Sequence, residues 1–98
     1  MSEKEALAAF KLALKLVKAK GIASVNRDGL EILRYYETDR LTIAFTPAKD
    51  ERPNGLDVWR HGDGETKVLD VIWTDYEMPM IVIYKGGPWA SLLERMAL

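Results

Sequence analysis

The sequence contains one histidine, His61, and it stands among carboxylates. Asp57, Asp63 and Glu65 all lie within four residues of it along the chain. A histidine beside a carboxylate can exchange protons near neutral pH, so an acid–base pair is one interpretation. An ordinary surface turn is the other, because the glycines of the His-Gly-Asp-Gly-Glu segment favour a turn on conformational grounds. We favour the turn and predict no catalytic residue.

Neither a metal site nor a cofactor is predicted from the sequence. A single histidine excludes a two-histidine site within one chain, and the absence of cysteine excludes thiolate ligands, thiolate nucleophiles and disulfides. The His-Gly-Asp-Gly-Glu turn lacks the length and the closing ligands of a calcium loop. Gly86 and Gly87 precede a predicted helix start, but no phosphate-loop spacing follows them.

Five side chains are candidates for binding a ligand or a partner, and they are Tyr36, Trp59, His61, Asp70 and Lys85. Trp59 occupies a weakly apolar strand, so we expect it to be partly exposed, either packed at the core or offered to a ligand. Tyr35 and Tyr36 are adjacent on a predicted strand, so one of them must face away from the core.

Asp70 stands in the middle of an apolar run, residues 68–73. An unpaired buried carboxylate costs several kcal/mol, so this side chain must be paired or solvated. We expect Arg34, Arg60 or Lys85 to be the partner, and the role of Asp70 to be structural rather than functional.

The elements that position these residues predict an α+β fold. Ser2 and Glu5 make a capping box for a helix that extends through Lys20, where Ala, Leu and Lys recur at helical spacing. Gly21 is expected to end this helix in a left-handed conformation. An antiparallel meander of about five strands follows, and a short C-terminal helix containing Trp89 closes the chain. Residues 1–98 therefore form one domain.

The segment 66–84 is the most strongly β-forming part of the chain, because β-branched residues dominate its two apolar runs, 68–73 and 80–84. We expect it to be the central hairpin of the sheet. Strict alternation divides the first run into Leu69, Val71 and Trp73 on one face and Val68, Asp70 and Ile72 on the other. Both faces carry apolar groups, so each needs cover from a helix or from another subunit.

The charge balance argues against a dedicated nucleic-acid binder. The chain has 14 Lys and Arg against 15 Asp and Glu, a net charge of −1. A basic stripe on the predicted helix could contact phosphate or an acidic protein, but we favour a solvated face for its four lysines: Lys4, Lys11, Lys15 and Lys18. No apolar run approaches the ~20 residues of a membrane span, so we expect a cytoplasmic protein with no membrane partner.

Two functions compete on this basis. The first is a small non-enzymatic binding or protein-interaction module that forms a homodimer through an apolar sheet face, with a protein or a small apolar ligand as a further partner. The second is a small enzyme or small-molecule-binding fold, in which His61, Asp57 and Asp70 stand at the mouth of an apolar pocket between the helix and a curved sheet. We favour the first because both faces of the hairpin are apolar.

Overall fold

The computed structural model describes residues 3–62 and 64–84. One helix, α1 (Glu3–Lys20), precedes six strands that pair antiparallel in the order of the sequence. The strands are β1 (Ile22–Val25), β2 (Glu31–Glu37), β3 (Leu41–Thr46), β4 (Asn54–Gly62), β5 (Gly64–Trp73) and β6 (Met80–Ile83). The predicted α+β meander is confirmed, with six strands in place of about five. The predicted C-terminal helix, with Lys85 and Trp89, lies outside the described residues.

Helix α1 is stabilised at its ends by charge, with Glu3 and Glu5 in the first turn and Lys18 and Lys20 in the last. The left-handed cap predicted at Gly21 is wrong, because the positive φ angles among the described glycines belong to Gly29 and Gly64. Gly21 is instead required by close packing. A Cβ there would collide with the carbonyl oxygen of Val17 and would come within 2.9 Å of Arg34 Cγ.

The hydrophobic core lies between α1 and one face of the sheet. Strands β3, β4 and β5 each contribute side chains that are buried there: Leu41, Ile43, Leu56, Val58, Leu69, Val71 and Trp73. Three fully buried residues of the helix pack against them: Phe10, Ala13 and Val17. Leu69, Val71 and Trp73 therefore share one face of the sheet, as predicted.

The strongly β-forming hairpin does not occupy the centre of the sheet. Strand β6 pairs with β5 alone among the described strands, so the β5–β6 hairpin forms one edge. Val68 also departs from the predicted alternation, because the β4–β5 register shifts between Val58 and Trp59. The shift leaves Val68 without a cross-strand partner on β4, and its side chain joins Leu69 in the core.

We call the opposite face of the sheet the outer face. Its strands present the residues that alternate with the core positions, together with their cross-strand neighbours on β1: Ile22, Ser24, Leu33, Tyr35, Glu37, Thr42, Ala44, Asp57, Trp59, His61, Glu65, Lys67, Asp70, Ile72, Met80 and Val82. Among the described residues α1 is the one helix, and it packs on the core face. It is not long and apolar enough to cross a membrane.

Trp73→Ala is expected to reduce the free energy of unfolding by about 3–5 kcal/mol, the range for truncating a buried aromatic side chain. Trp73 is 7% exposed. The centre of its ring lies 4.8 Å from the ring centre of Phe10 and 5.9 Å from that of Phe45. Urea denaturation measures the loss. Trp59→Ala, on the outer face, is the matched control and should lose less; a loss below about 1 kcal/mol for Trp73→Ala would contradict the packing described.

Candidate functional site

Three of the five candidate binding residues meet on the outer face. Trp59 and His61 alternate along β4, and Asp70 lies on β5 directly opposite Asp57 of β4. Tyr36 does not join them, because its side chain packs against the core and its neighbour Tyr35 takes the outward position. Lys85, the fifth candidate, lies outside the described residues.

Two carboxylates and one lysine form the centre of this surface. Lys67 Nζ lies 3.5 Å from Asp57 Oδ1 and 4.0 Å from Asp70 Oδ2. Arg34, one of the three partners expected for Asp70, instead bonds Glu31, with Nε 2.8 Å from Oε1, and the expected partner Lys85 lies outside the described residues. Residues three apart on a regular strand point to opposite faces. Here the register shift inserts Val68 as an extra residue between Lys67 and Asp70, so both of their side chains lie on the outer face.

Asp57 has the least favourable environment of the three charged groups in the cluster. Its Oδ1 is a buried oxygen without a hydrogen-bond partner among the described residues. Burial raises the pKa of the Asp57 carboxyl above its ordinary value, and the neighbouring Asp70 raises it further, while Lys67 opposes both effects. Directly opposed like charges destabilise a strand pair. The Asp57–Asp70 pair therefore favours a proton, or a hydrogen-bond donor supplied from outside.

Trp59 holds the lysine in place. Lys67 Nζ lies 5.0 Å above the centre of the Trp59 ring, a distance at which the ring's electrons attract the cation. Because the two residues are cross-strand partners, their backbones keep this contact in register. The partly buried indole thus supports the polar network of Lys67 with Asp57 and Asp70.

His61 belongs to a second polar group at the end of the same face. Its Nε2 lies 2.6 Å from Thr42 Oγ1, and its Nδ1 lies 3.5 Å from Glu65 Oε1. Thr42 also donates to Glu37 Oε1 at 3.5 Å. His61 is therefore linked to Glu65, as its sequence neighbours indicated, and also to Thr42 and Glu37, which no local pattern in the sequence connects to it.

An apolar groove of about 440 Å³ lies elsewhere, on the helix side of the sheet. The start of α1, the β5–β6 connection and β6 line it with Leu7, Met78, Ile81 and Ile83, and Glu3 and Glu77 stand among them. Asp57, His61 and Asp70 project from the other face. A small enzyme was expected to have these three groups at the mouth of an apolar pocket. None of the three lines this groove.

Comparison of the chain with protein-family models, with curated proteins and with solved structures finds no match.

Asp57→Asn is expected to stabilise the protein at neutral pH. The folded-state pKa of Asp57 lies above 3.8, its ordinary value, so the folded protein holds this proton more tightly than the unfolded chain does. The stability that results is fully present below pH 3.8 and is lost as the pH rises through the raised pKa. An asparagine at position 57 carries no charge at any pH, and its amide can donate to Asp70.

Urea denaturation at several pH values measures this effect. The stability advantage of Asp57→Asn over the wild type should shrink as the pH falls and vanish below pH 3.8. Asp39→Asn, in the exposed β2–β3 turn, is the control and should change stability little at any pH. A variant at Asp57 that is less stable than the wild type at neutral pH would show that the Lys67 contact outweighs burial and repulsion.

Proposed function

We propose that the chain is a non-enzymatic protein-interaction module that forms a symmetric homodimer through its outer face. One row of cross-strand neighbours supports this proposal. It runs across all six strands from β1 to β6 and consists of Ile22, Tyr35, Ala44, Asp57, Asp70 and Val82. The two ends of the row are apolar and exposed, with Ile22 at 64% and Val82 at 44%.

The row is complementary to itself under a two-fold rotation. An axis parallel to the strands, between β3 and β4, turns a second copy so that its row runs in the opposite direction. Ile22 then faces the partner's Val82, and Asp70 faces the partner's Tyr35. The phenol can donate a hydrogen bond to Asp70, which reduces the repulsion between the two carboxylates of the Asp57–Asp70 pair. Ala44, a small side chain near the axis, allows the sheets to approach.

The size of the face suits such an interface. Six strands spaced ~4.8 Å apart span about 25 Å, and strands of ~6 residues are about 20 Å long. The planar area is therefore about 500 Å², and the accessible area of a corrugated surface is larger than its planar area. A stable dimer buries ~800 Å² per partner, which is of the same order. Further exposed apolar side chains beside the row, Ile72 and Met80, add to the buried area.

The proposal is tested by placing opposite charges at the two ends of the row. The wild type is expected to have twice the 11.1 kDa chain mass by light scattering. Ile22→Lys alone and Val82→Asp alone should each produce monomers, because each places two unpaired charges in the symmetric interface, one from each copy. The double variant should recover the dimer. Within one chain the two positions are five strand spacings, about 24 Å, apart, so the new ion pairs can form only between copies.

Leu30→Lys provides the matched control, because Leu30 is 60% exposed but lies in the β1–β2 connection away from the row. It should leave the dimer intact. A wild type that is monomeric at the highest attainable concentration would overturn the homodimer. Dimerisation that survives both single substitutions would place the interface on another surface.

A further inference from the structure

We propose that Glu37, His61 and Glu65 form a binding site for a divalent transition metal, with Zn²⁺ as the best-suited ion. One ligand atom from each of these side chains lies within 4.8 Å of the others. The three come from β2, β4 and β5, so the site is complete within one chain and does not depend on the proposed dimer. It lies at the end of the outer face, beyond Trp59.

The backbone register sets this grouping. Glu37 is the cross-strand partner of Thr42, and His61 is the partner of Glu65. The hydrogen bond between Thr42 Oγ1 and His61 Nε2, at 2.6 Å, joins the two pairs. Ligands that stand on paired strands lose little freedom when an ion binds, whereas loop ligands must first be ordered.

The distance between His61 and Glu65 fits metal ligands better than it fits a hydrogen bond. Nδ1 and Oε1 are 3.5 Å apart. An N–H···O hydrogen bond is usually ~2.7–3.2 Å long. Two ligands of a tetrahedral zinc ion, each ~2.0–2.1 Å from the metal, are about 3.3–3.4 Å apart. An ion can therefore sit between these two atoms with almost no movement, and the exposed Glu37 side chain supplies the third ligand by rotation.

The contact between Thr42 and His61 is compatible with an ion bound at Nδ1. The Thr42 hydroxyl can donate or accept, so its 2.6 Å contact with Nε2 suits either neutral tautomer of the ring. In the tautomer in which Nε2–H donates to the Thr42 oxygen, the lone pair of Nδ1 faces Glu65. Metal-bound histidines characteristically donate their other ring N–H in this way, which fixes the ring orientation and the tautomer.

The ligand set selects the class of ion. Two carboxylates balance the charge of a dication, and an imidazole ligand favours zinc and related transition metals over Mg²⁺ or Ca²⁺, which prefer oxygen. Three protein ligands leave a fourth tetrahedral position for water or for a ligand atom from another molecule.

Titration of the full chain with ZnCl₂, expressed without a histidine tag, tests the site. Calorimetry should show one zinc ion per chain. His61 is the only histidine, so its ring signals in a proton–nitrogen NMR spectrum report binding directly. The Nδ1 signal should shift on zinc addition and return to its original position with EDTA.

Three variants separate a built site from adventitious binding. His61→Ala should abolish binding, and Glu37→Gln and Glu65→Gln should each weaken it at least about tenfold while preserving side-chain shape. Glu77→Gln, which changes an exposed glutamate on the β5–β6 connection, is the control and should bind as the wild type does. Absence of zinc binding, unchanged binding in the Glu65→Gln variant, or one ion shared by two chains would each overturn the proposal.

Discussion

The structure depends on one constraint: a sheet has two faces, and α1 can cover one of them. An 18-residue helix is about 27 Å long and ~10 Å wide, whereas six strands span about 25 Å. The fold therefore concentrates its large apolar side chains on the helix side, where Phe10, Leu41 and Val71 are fully buried. The Asp57–Lys67–Asp70 cluster and the polar group around His61 lie on the other side.

The outer face is neither a second core nor an ordinary wet surface. Its ends carry exposed apolar groups, while its centre carries Asp57 and Asp70 with a single lysine between them. Burial raises the pKa of the Asp57 carboxyl, and its Oδ1 has no hydrogen-bond partner among the described residues. A hydrogen-bond donor added at the centre of the face would therefore stabilise the two carboxylates. A partner that brings apolar contact at the ends and a hydroxyl at the centre would meet both needs, and a second copy of the chain carries both.

Periodicity in the sequence predicts the helix, the meander and which residues of a strand share a face, because those depend on spacing within one element. Leu41, Ile43 and Phe45 alternate cleanly, and they lie where alternation puts them. Pairing between elements is different. The opposition of Asp57 and Asp70, and the buried position of Val68, depend on a register shift that no local pattern encodes. High β propensity likewise predicts that β5 and β6 are strands, but it does not distinguish a central hairpin from an edge one.

Cross-linking near the proposed two-fold axis tests the face-to-face dimer most directly. The natural chain has no cysteine, so Ala44→Cys creates one reactive thiol in the middle of the outer face. Sheets packed ~10 Å apart would bring two such thiols within reach of a short bis-maleimide. The account predicts efficient cross-linking at position 44 and none with Ala8→Cys, on the exposed side of α1. Cross-linking through position 8, or through neither position, would contradict it.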